Sequence, residues 1–394
     1  MPERSFSTLR LIPRPIWVLG FVSMLMDISS EMVHSLLPMY LVAGLGASVA
    51  TVGLIEGIAE AAAPIVKIFS GGLSDYLGNR KWLAVAGYAL GAASKPFFAI
   101  AGSANTILAA RFVDRIGKGI RGAPRDALVA DIAAPESRGA AFGLRQALDT
   151  AGAFAGPLLA AGLMFLWAND YRRIFWVAVI PGALAVLLLA AGVKEPPHAT
   201  GSKGINPIHR ASLQQLSSSF WWVVAIGAVF TLARFSEAFL VLRAMQGGMK
   251  PALVPLVMVA MNVVYMLSAY PFGKLADSMS HRRLLVIGLG FLVLADLMLA
   301  HGNGWPLVLL GVGLWGLHMG MTQGLLSVMV ADTAPANLRG TAFGFFNVVS
   351  GIAMLFASVV AGLLWERFGA SATFHAGATF GVLAALLIII RGPR

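Results

Sequence analysis

Gly71-Gly72-Leu73-Ser74-Asp75-Tyr76-Leu77-Gly78-Asn79-Arg80-Lys81 recurs about half a chain later as Gly273-Lys274-Leu275-Ala276-Asp277-Ser278-Met279-Ser280-His281-Arg282-Arg283. Asp75 and Asp277 hold the same place in the two copies, 202 residues apart. A second echo follows at a spacing of 201. Asp131, Arg138, Gly139, Ala141, Phe142 and Gly143 return as Asp332, Arg339, Gly340, Ala342, Phe343 and Gly344. Both copies stand between long apolar runs. A chain that repeats at half its length in such surroundings is most simply two homologous helical bundles.

Composition puts those bundles in a membrane. Of 394 residues, 12% are charged and 58% hydrophobic, and the mean hydropathy is +0.79. Soluble domains carry about 25% charged residues. Runs of roughly 17–25 apolar residues are long enough to span a bilayer. Twelve are read here: about 16–42, 49–73, 82–102, 105–130, 139–166, 174–193, 219–242, 252–273, 284–300, 306–330, 341–364 and 370–390. The expected organisation is an N-terminal six-span bundle (1–193), a cytoplasmic linker (194–218) holding Pro196-Pro197, Gly201 and Gly204, and a C-terminal six-span bundle (219–394).

The net charge of +11 follows the positive-inside pattern. With both termini in the cytoplasm, fifteen Lys and Arg fall on the cytoplasmic side, five outside and nine within the spans. Nucleic-acid binding would need these charges on one water-facing surface. The basic N-terminus runs into the first span without a small-residue cleavage site, so that span reads as retained. The chain has no cysteine, which excludes disulfides, thiolate metal sites and cysteine nucleophiles. No P-loop, H-E-x-x-H or G-x-S-x-G is present. Gly311-Val312-Gly313-Leu314-Trp315-Gly316 matches G-x-G-x-x-G but follows no strand. No enzymatic activity and no cofactor are expected.

Charges inside the spans carry the functional signal, because each costs at least ~2.5 kcal/mol if it faces lipid. The fourth span holds Arg111, Asp114, Arg115, Lys118, Arg121, Arg125 and Asp126. Asp114, Lys118, Arg121 and Arg125 lie at i, i+4, i+7 and i+11, on one helix face. That face is either a coupling surface or a structural ion-pair ladder with Glu56, Glu60, Arg145 and Asp149. In the first span Asp27, Glu31 and His34 share a face. They could carry protons, contact substrate, pair with another helix or offer oxygen and nitrogen ligands to a divalent ion. Whether a metal binds is left open. The fifth span reads Gly143-x8-Gly152-x3-Gly156-Pro157, with small residues spaced for close helix contact.

These motifs resemble those of the major facilitator superfamily over the whole chain. The repeated loop is similar to its G-x-L-x-D-x-x-G-R-K signature between spans two and three and between eight and nine. Asn79 stands at a usually basic position, and Ser280 replaces the second-copy glycine. Arg111-Phe112 resembles the R-F-x-x-G segment, whose arginine is associated with proton coupling. The fifth-span glycines resemble the motif of drug:proton antiporters. Asp27-Ile28-Ser29-Ser30-Glu31, residues 53–60 and residues 121–126 are similar to a bacterial branch that includes nickel-resistance efflux permeases.

The resemblance implies an all-α fold of two pseudo-symmetric six-helix bundles with 3+3 inverted repeats. It implies a gate built on Gly71, Asp75, Gly78, Arg80, Lys81, Gly273, Asp277, Arg282, Arg283, Asp131, Arg138, Asp332 and Arg339. The expected function is alternating-access secondary transport, as proton-coupled export of a small molecule or metal ion. The expected setting is the bacterial inner membrane, with the protein a monomer whose partners are lipid, substrate and protons. Uptake of an organic anion, metabolite or siderophore by symport remains an alternative. So does a transport-inactive receptor or lipid-handling protein on the same fold.

Overall fold

The computed structural model describes residues 12–134, 137–195, 215–276, 279–335 and 338–391. Ten helical stretches among them are long and apolar enough to cross a membrane. Span one is Arg14–Gly44, formed by Arg14–His34, a short turn at Leu37–Met39 and a wider turn at Tyr40–Gly44. Span two is Val49–Leu77, span three Arg80–Ile100, span five Arg138–Leu166 and span six Tyr171–Gly192. Spans eight to twelve are Leu256–Ala276, His281–His301, Trp305–Thr333, Arg339–Phe368 and Ala370–Arg391. Span four, Ala104–Ile132, has the length but carries too many charges to read as a lipid-facing helix.

Span seven departs from expectation. Instead of one helix over 219–242, it is Ser218–Leu232 followed by Ala238–Gln246. The break falls on Arg234, Ser236 and Glu237. Ser236 turns its side chain onto the backbone, its Oγ accepting from Ala238 N at 3.2 Å. The Ser236 N–H donates to Ser358 Oγ at 3.1 Å. Local side-chain bonds of this kind compete with the helical ladder.

Helix starts are set by short polar side chains that satisfy the first free N–H groups. Asn79, Ser103, Asp170, Ser217 and Ser280 each accept from the backbone N–H three residues on. Two of these explain the departures in the repeated loop. Gly78 has φ +62 and ends span two, while Asn79 caps span three. In the second copy Ser280 is extended, with φ −60, and is itself the cap of span nine. The first copy therefore needs glycine and the second does not.

Contacts divide the chain into two compact units. Unit one holds residues 1–34 and 62–206, and unit two holds 35–61 and 207–394. In unit one, span one packs on spans five and six, and span three on spans four and six. In unit two, span seven packs on eleven and twelve, and span nine on ten and twelve. The same pairings recur six spans later, as a duplicated bundle requires. The core of unit one joins Leu19, Val22, Met26, Tyr88, Leu128 and Leu189. In unit two the first half of span two lies along span eleven. The Glu366 carboxylate accepts from Ala50 N at 3.1 Å, at the start of span two. Leu166, Ile180, Leu187, Leu267, Leu310 and Ile390 are exposed, a lining that suits hydrocarbon rather than water.

The loop geometry yields an asymmetry test. Gly78→Ser places a side chain on a left-handed residue and is expected to cost about 1–2 kcal/mol. Ser280→Gly removes a cap that glycine partly replaces, at a cost of a few tenths, on the order of 0.3 kcal/mol. Thermal melting of the purified variants in detergent checks this. Equal losses at the two positions would contradict it.

Candidate functional site

Unit one has a charged centre, and span four threads it. Arg111, Asp114, Arg115 and Arg121 are all buried. The key partner comes from span three. Lys95 is 1% exposed, and its Nζ donates to Asp114 Oδ1 at 2.7 Å and to Ser30 Oγ of span one at 3.1 Å. The second Asp114 oxygen faces Arg115 Nε at 3.6 Å and Arg111 NH1 at 4.0 Å. One carboxylate is thus shared by an ammonium and two guanidiniums. Arg121 lies over the Tyr88 ring at 4.9 Å, a cation–π contact that stabilises a desolvated guanidinium.

A second cluster lies along the same helix. Arg125 pairs with Asp126 at 3.0 Å and with Asp149 of span five at 3.8 Å. Its NH1 also donates to Ser23 Oγ at 3.1 Å. Arg145 reaches Asp149 at 3.8 Å, and Lys67 reaches Asp126 at 3.4 Å. The ladder between spans four and five is therefore present. Glu56 and Glu60 belong instead to unit two, where Glu60 lies within electrostatic reach of Arg234. That assignment departs from the ladder read in sequence, because span two is shared between the units at residues 61 and 62.

Span one brings its acids to this centre. Asp27 has Asp149, Lys118, Glu31 and Arg121 as electrostatic neighbours. Glu31 is bonded to His34 Nδ1 at 3.4 Å and lies within reach of Lys118 and Arg115. Span five makes this approach close. A Cβ on Gly152 would overlap Met24 O and come within 3.0 Å of Asp27 Cβ. One on Gly156 would come within 2.8 Å of Glu31 Cβ and 3.0 Å of Ile28 O. The two glycines seat span five directly behind the two acids, and Pro157 follows within the same helix. Gly143 meets nothing within 4 Å and has no such role.

The loop residues form a separate group at the ends of the spans. Arg80 is ion-paired with Asp131, and Arg138 Nε donates to Ala130 O at 3.1 Å. The Glu195 carboxylate accepts from Arg80 N at 2.9 Å and Lys81 N at 2.6 Å, an anion on a helix N-terminus. In the second copy, Asp332, Ser280, His281 and Arg282 line one cavity of about 330 Å³. Arg282 also donates to Ile389 O, and Arg283 N to Ser280 Oγ at 3.4 Å. Gly71 has Ala123 at 3.5 Å from a would-be Cβ, and Gly273 has open space. The side chain of Asp75, and Asp277 altogether, lie outside the described residues.

Sequence reasoning passed over Lys95. Beyond the basic start of span three at Arg80-Lys81 it is the one cation in that helix, just before Pro96, and that isolation is its only signal in sequence. Two further buried polar residues, Asp296 and His318, lie in unit two. Asp296 is fully buried beside Phe235 and Gly377, and among the described residues neither carboxyl oxygen has a hydrogen-bond partner. His318 Nδ1 lies 2.7 Å from Gly288 O, and Phe230 stacks on its ring.

Two substitution pairs test the geometry. Asp114→Asn removes the counter-charge that Lys95, Arg111 and Arg115 share and is expected to cost about 3–5 kcal/mol. Lys95→Met leaves Asp114 with two guanidiniums and is expected to cost less, about 1–3 kcal/mol. Detergent melting temperatures should rank them so. In span five, Gly156→Leu is expected to separate spans one and five and abolish transport, whereas Gly143→Leu should be tolerated. Full activity of Gly156→Leu would contradict the contact.

Known proteins share this architecture. A family model described as Major Facilitator Superfamily matches residues 19–242 and 248–394. The MFS-type transporter MJ1317 of Methanocaldococcus jannaschii is 30% identical over 386 residues, covering 96% of this chain and 95% of that protein. The quinolone resistance protein NorA of Staphylococcus aureus is 24% identical over 127 residues, 32% of each chain. Among solved structures, the nucleoside transporter NupG superposes with a TM-score of 0.74 at 14% identity, covering 96% of this chain and 98% of that one. The duplicated bundle, the paired loops and the family match agree: the chain is a multi-pass membrane transporter, not an enzyme, and belongs to the major facilitator superfamily.

Proposed function

We propose that this transporter exports a small molecule in exchange for protons. The observation that carries the reading is the contact of span five with span one at Asp27 and Glu31, opposite the cationic face of span four. A carboxylate among cations can hold either a cation or a proton. When cargo or a helix movement draws the cation away, the carboxylate takes up a proton and loses its charge. Proton entry and cargo exit are then two halves of one exchange, and alternating access carries each across. Asp27 is the first candidate carrier and Glu31 the second. Arg111 and Arg115 fix the electrostatics through Asp114. The small-residue motif in span five and the partial likeness to NorA support the export direction.

The moving bodies in this reading are the bundles of residues 1–193 and 219–394, joined by 194–218. The repeated loops act as the cytoplasmic gate, with the Arg80–Asp131 pair as one latch. The protein works as a monomer in a bacterial inner membrane, both termini cytoplasmic.

A second reading concerns the cargo. Lys95, Arg111, Arg115 and Arg121 are buried around a single buried acid in span four, Asp114. That excess of positive charge favours an organic anion over a metal cation, moved in either direction.

The mutation Asp27→Asn keeps the shape but cannot titrate. In proteoliposomes it is expected to retain cargo exchange between the two sides while losing accumulation driven by a pH gradient. Wild-type accumulation in Asp27→Asn vesicles would remove Asp27 from coupling. Loss of exchange as well would make it a cargo-binding residue.

A further inference from the structure

Two imidazoles meet at one end of unit two. His301 is the last residue of span nine, and His375 lies in the second turn of span twelve. Their Nε2 atoms are 2.9 Å apart, and the rings are 4.8 Å apart at 57°. Both side chains are exposed. Span nine begins at His281, beside the basic pair Arg282-Arg283, so the histidines sit at the opposite end of that helix from the loop.

The surrounding backbone is fixed. Arg243 Nε donates to Leu299 O at 2.7 Å and its NH2 to Gly302 O at 2.9 Å. Ser371 Oγ donates to Ala300 O at 2.7 Å, tying the start of span twelve to the end of span nine. Carbonyls on both sides of His301 are thus clamped, which fixes the backbone positions from which the two rings meet.

We propose that His301 and His375 form a binding site for a divalent transition-metal ion that favours right-angled nitrogen ligation, copper(II) first and nickel(II) second. Metal–imidazole bonds are about 2.0–2.1 Å, so two nitrogens at 90° stand about 2.9 Å apart and two at the tetrahedral angle about 3.3 Å. The observed 2.9 Å fits the first arrangement without movement of either helix. In the metal-free pair one Nε2 donates a proton to the other. Metal binding requires the donor ring to carry its proton on Nδ1 instead, so that both rings stay neutral and both Nε2 lone pairs face the metal. Exposure leaves the remaining positions to water. The site is independent of the transport reading, since none of its residues belongs to the charged centre.

The test uses the tag-free full chain in detergent, stripped of metal and titrated with copper(II). Electron paramagnetic resonance reads the number of coordinated nitrogens, and calorimetry reads the affinity. The expected result is one tightest copper per chain with two imidazole nitrogens. His301→Gln and His375→Gln should each weaken it about 100-fold, the loss of one arm of a chelate. Nickel(II) should compete at the same site less strongly, as the Irving–Williams order requires. A wild-type spectrum with one nitrogen would overturn the proposal whatever the variants do. So would equal binding by the His301→Gln/His375→Gln double variant, or no binding below millimolar copper.

Discussion

A carboxylate buried in a membrane must be matched by positive charge or carry a proton, and in unit one that requirement centres on Asp114. Three spans satisfy it. Span three supplies Lys95, span four supplies Arg111 and Arg115, and span one adds Ser30 to the same ammonium. Moving any of these helices alone would strand a charge in low dielectric, at a cost of several kcal/mol. The polar centre therefore fixes the register of spans one, three and four more strictly than apolar packing could. Lipid offers little hydrophobic drive between helices, so close contact and polar bonds carry the specificity.

Span five then completes the centre from behind. Gly152 and Gly156 let it lie against the backbone of Met24, Ile28 and Met32. That leaves Asp27 and Glu31 directed among the cations of span four, with Asp149 and Arg145 continuing the network along span five. A tightly seated helix next to an exchangeable charge has a mechanical consequence. In the proposed exchange, a change in the protonation of Asp27 would alter the balance among spans one, four and five, and the loops at their ends would follow. In unit two the polar groups are sparser. Asp296 and His318 are buried among aromatic rings, so the chemistry of the molecule is unequal between two halves of similar architecture.

Much of this was legible in the sequence, for physical reasons. The half-length repeat and the hydropathy pointed to the twelve-span class, since a membrane allows few alternatives to apolar helices. The i, i+7 spacing of Asp114 and Arg121 fits their shared burial, whereas Lys118 at i+4 is exposed, and small residues marked the close face of span five. Other features depend on neighbours that periodicity does not reveal. Lys95 gives no sign in sequence of facing Asp114. The break in span seven follows from Ser236 bonding locally and to Ser358, a residue 122 positions away. Glu56 and Glu60 look like partners of span four, but the first part of span two packs with unit two. Gly143 matches the span-five pattern by spacing, yet it faces open space. The Asn79 and Ser280 departures from the motif are helix caps, a role the motif comparison does not reveal.

The exchange of charge for proton is tested most directly by luminal pH. Proteoliposomes are loaded with cargo, held without a membrane potential and diluted into cargo-free buffer, and a trapped dye reads the lumen. Antiport through the charged centre drives protons inward as cargo leaves, whatever the orientation of the protein, so the lumen should acidify. Alkalinisation would mean that protons leave with the cargo. A steady luminal pH during measurable cargo efflux would mean that the carboxylates of span one carry no protons in transport.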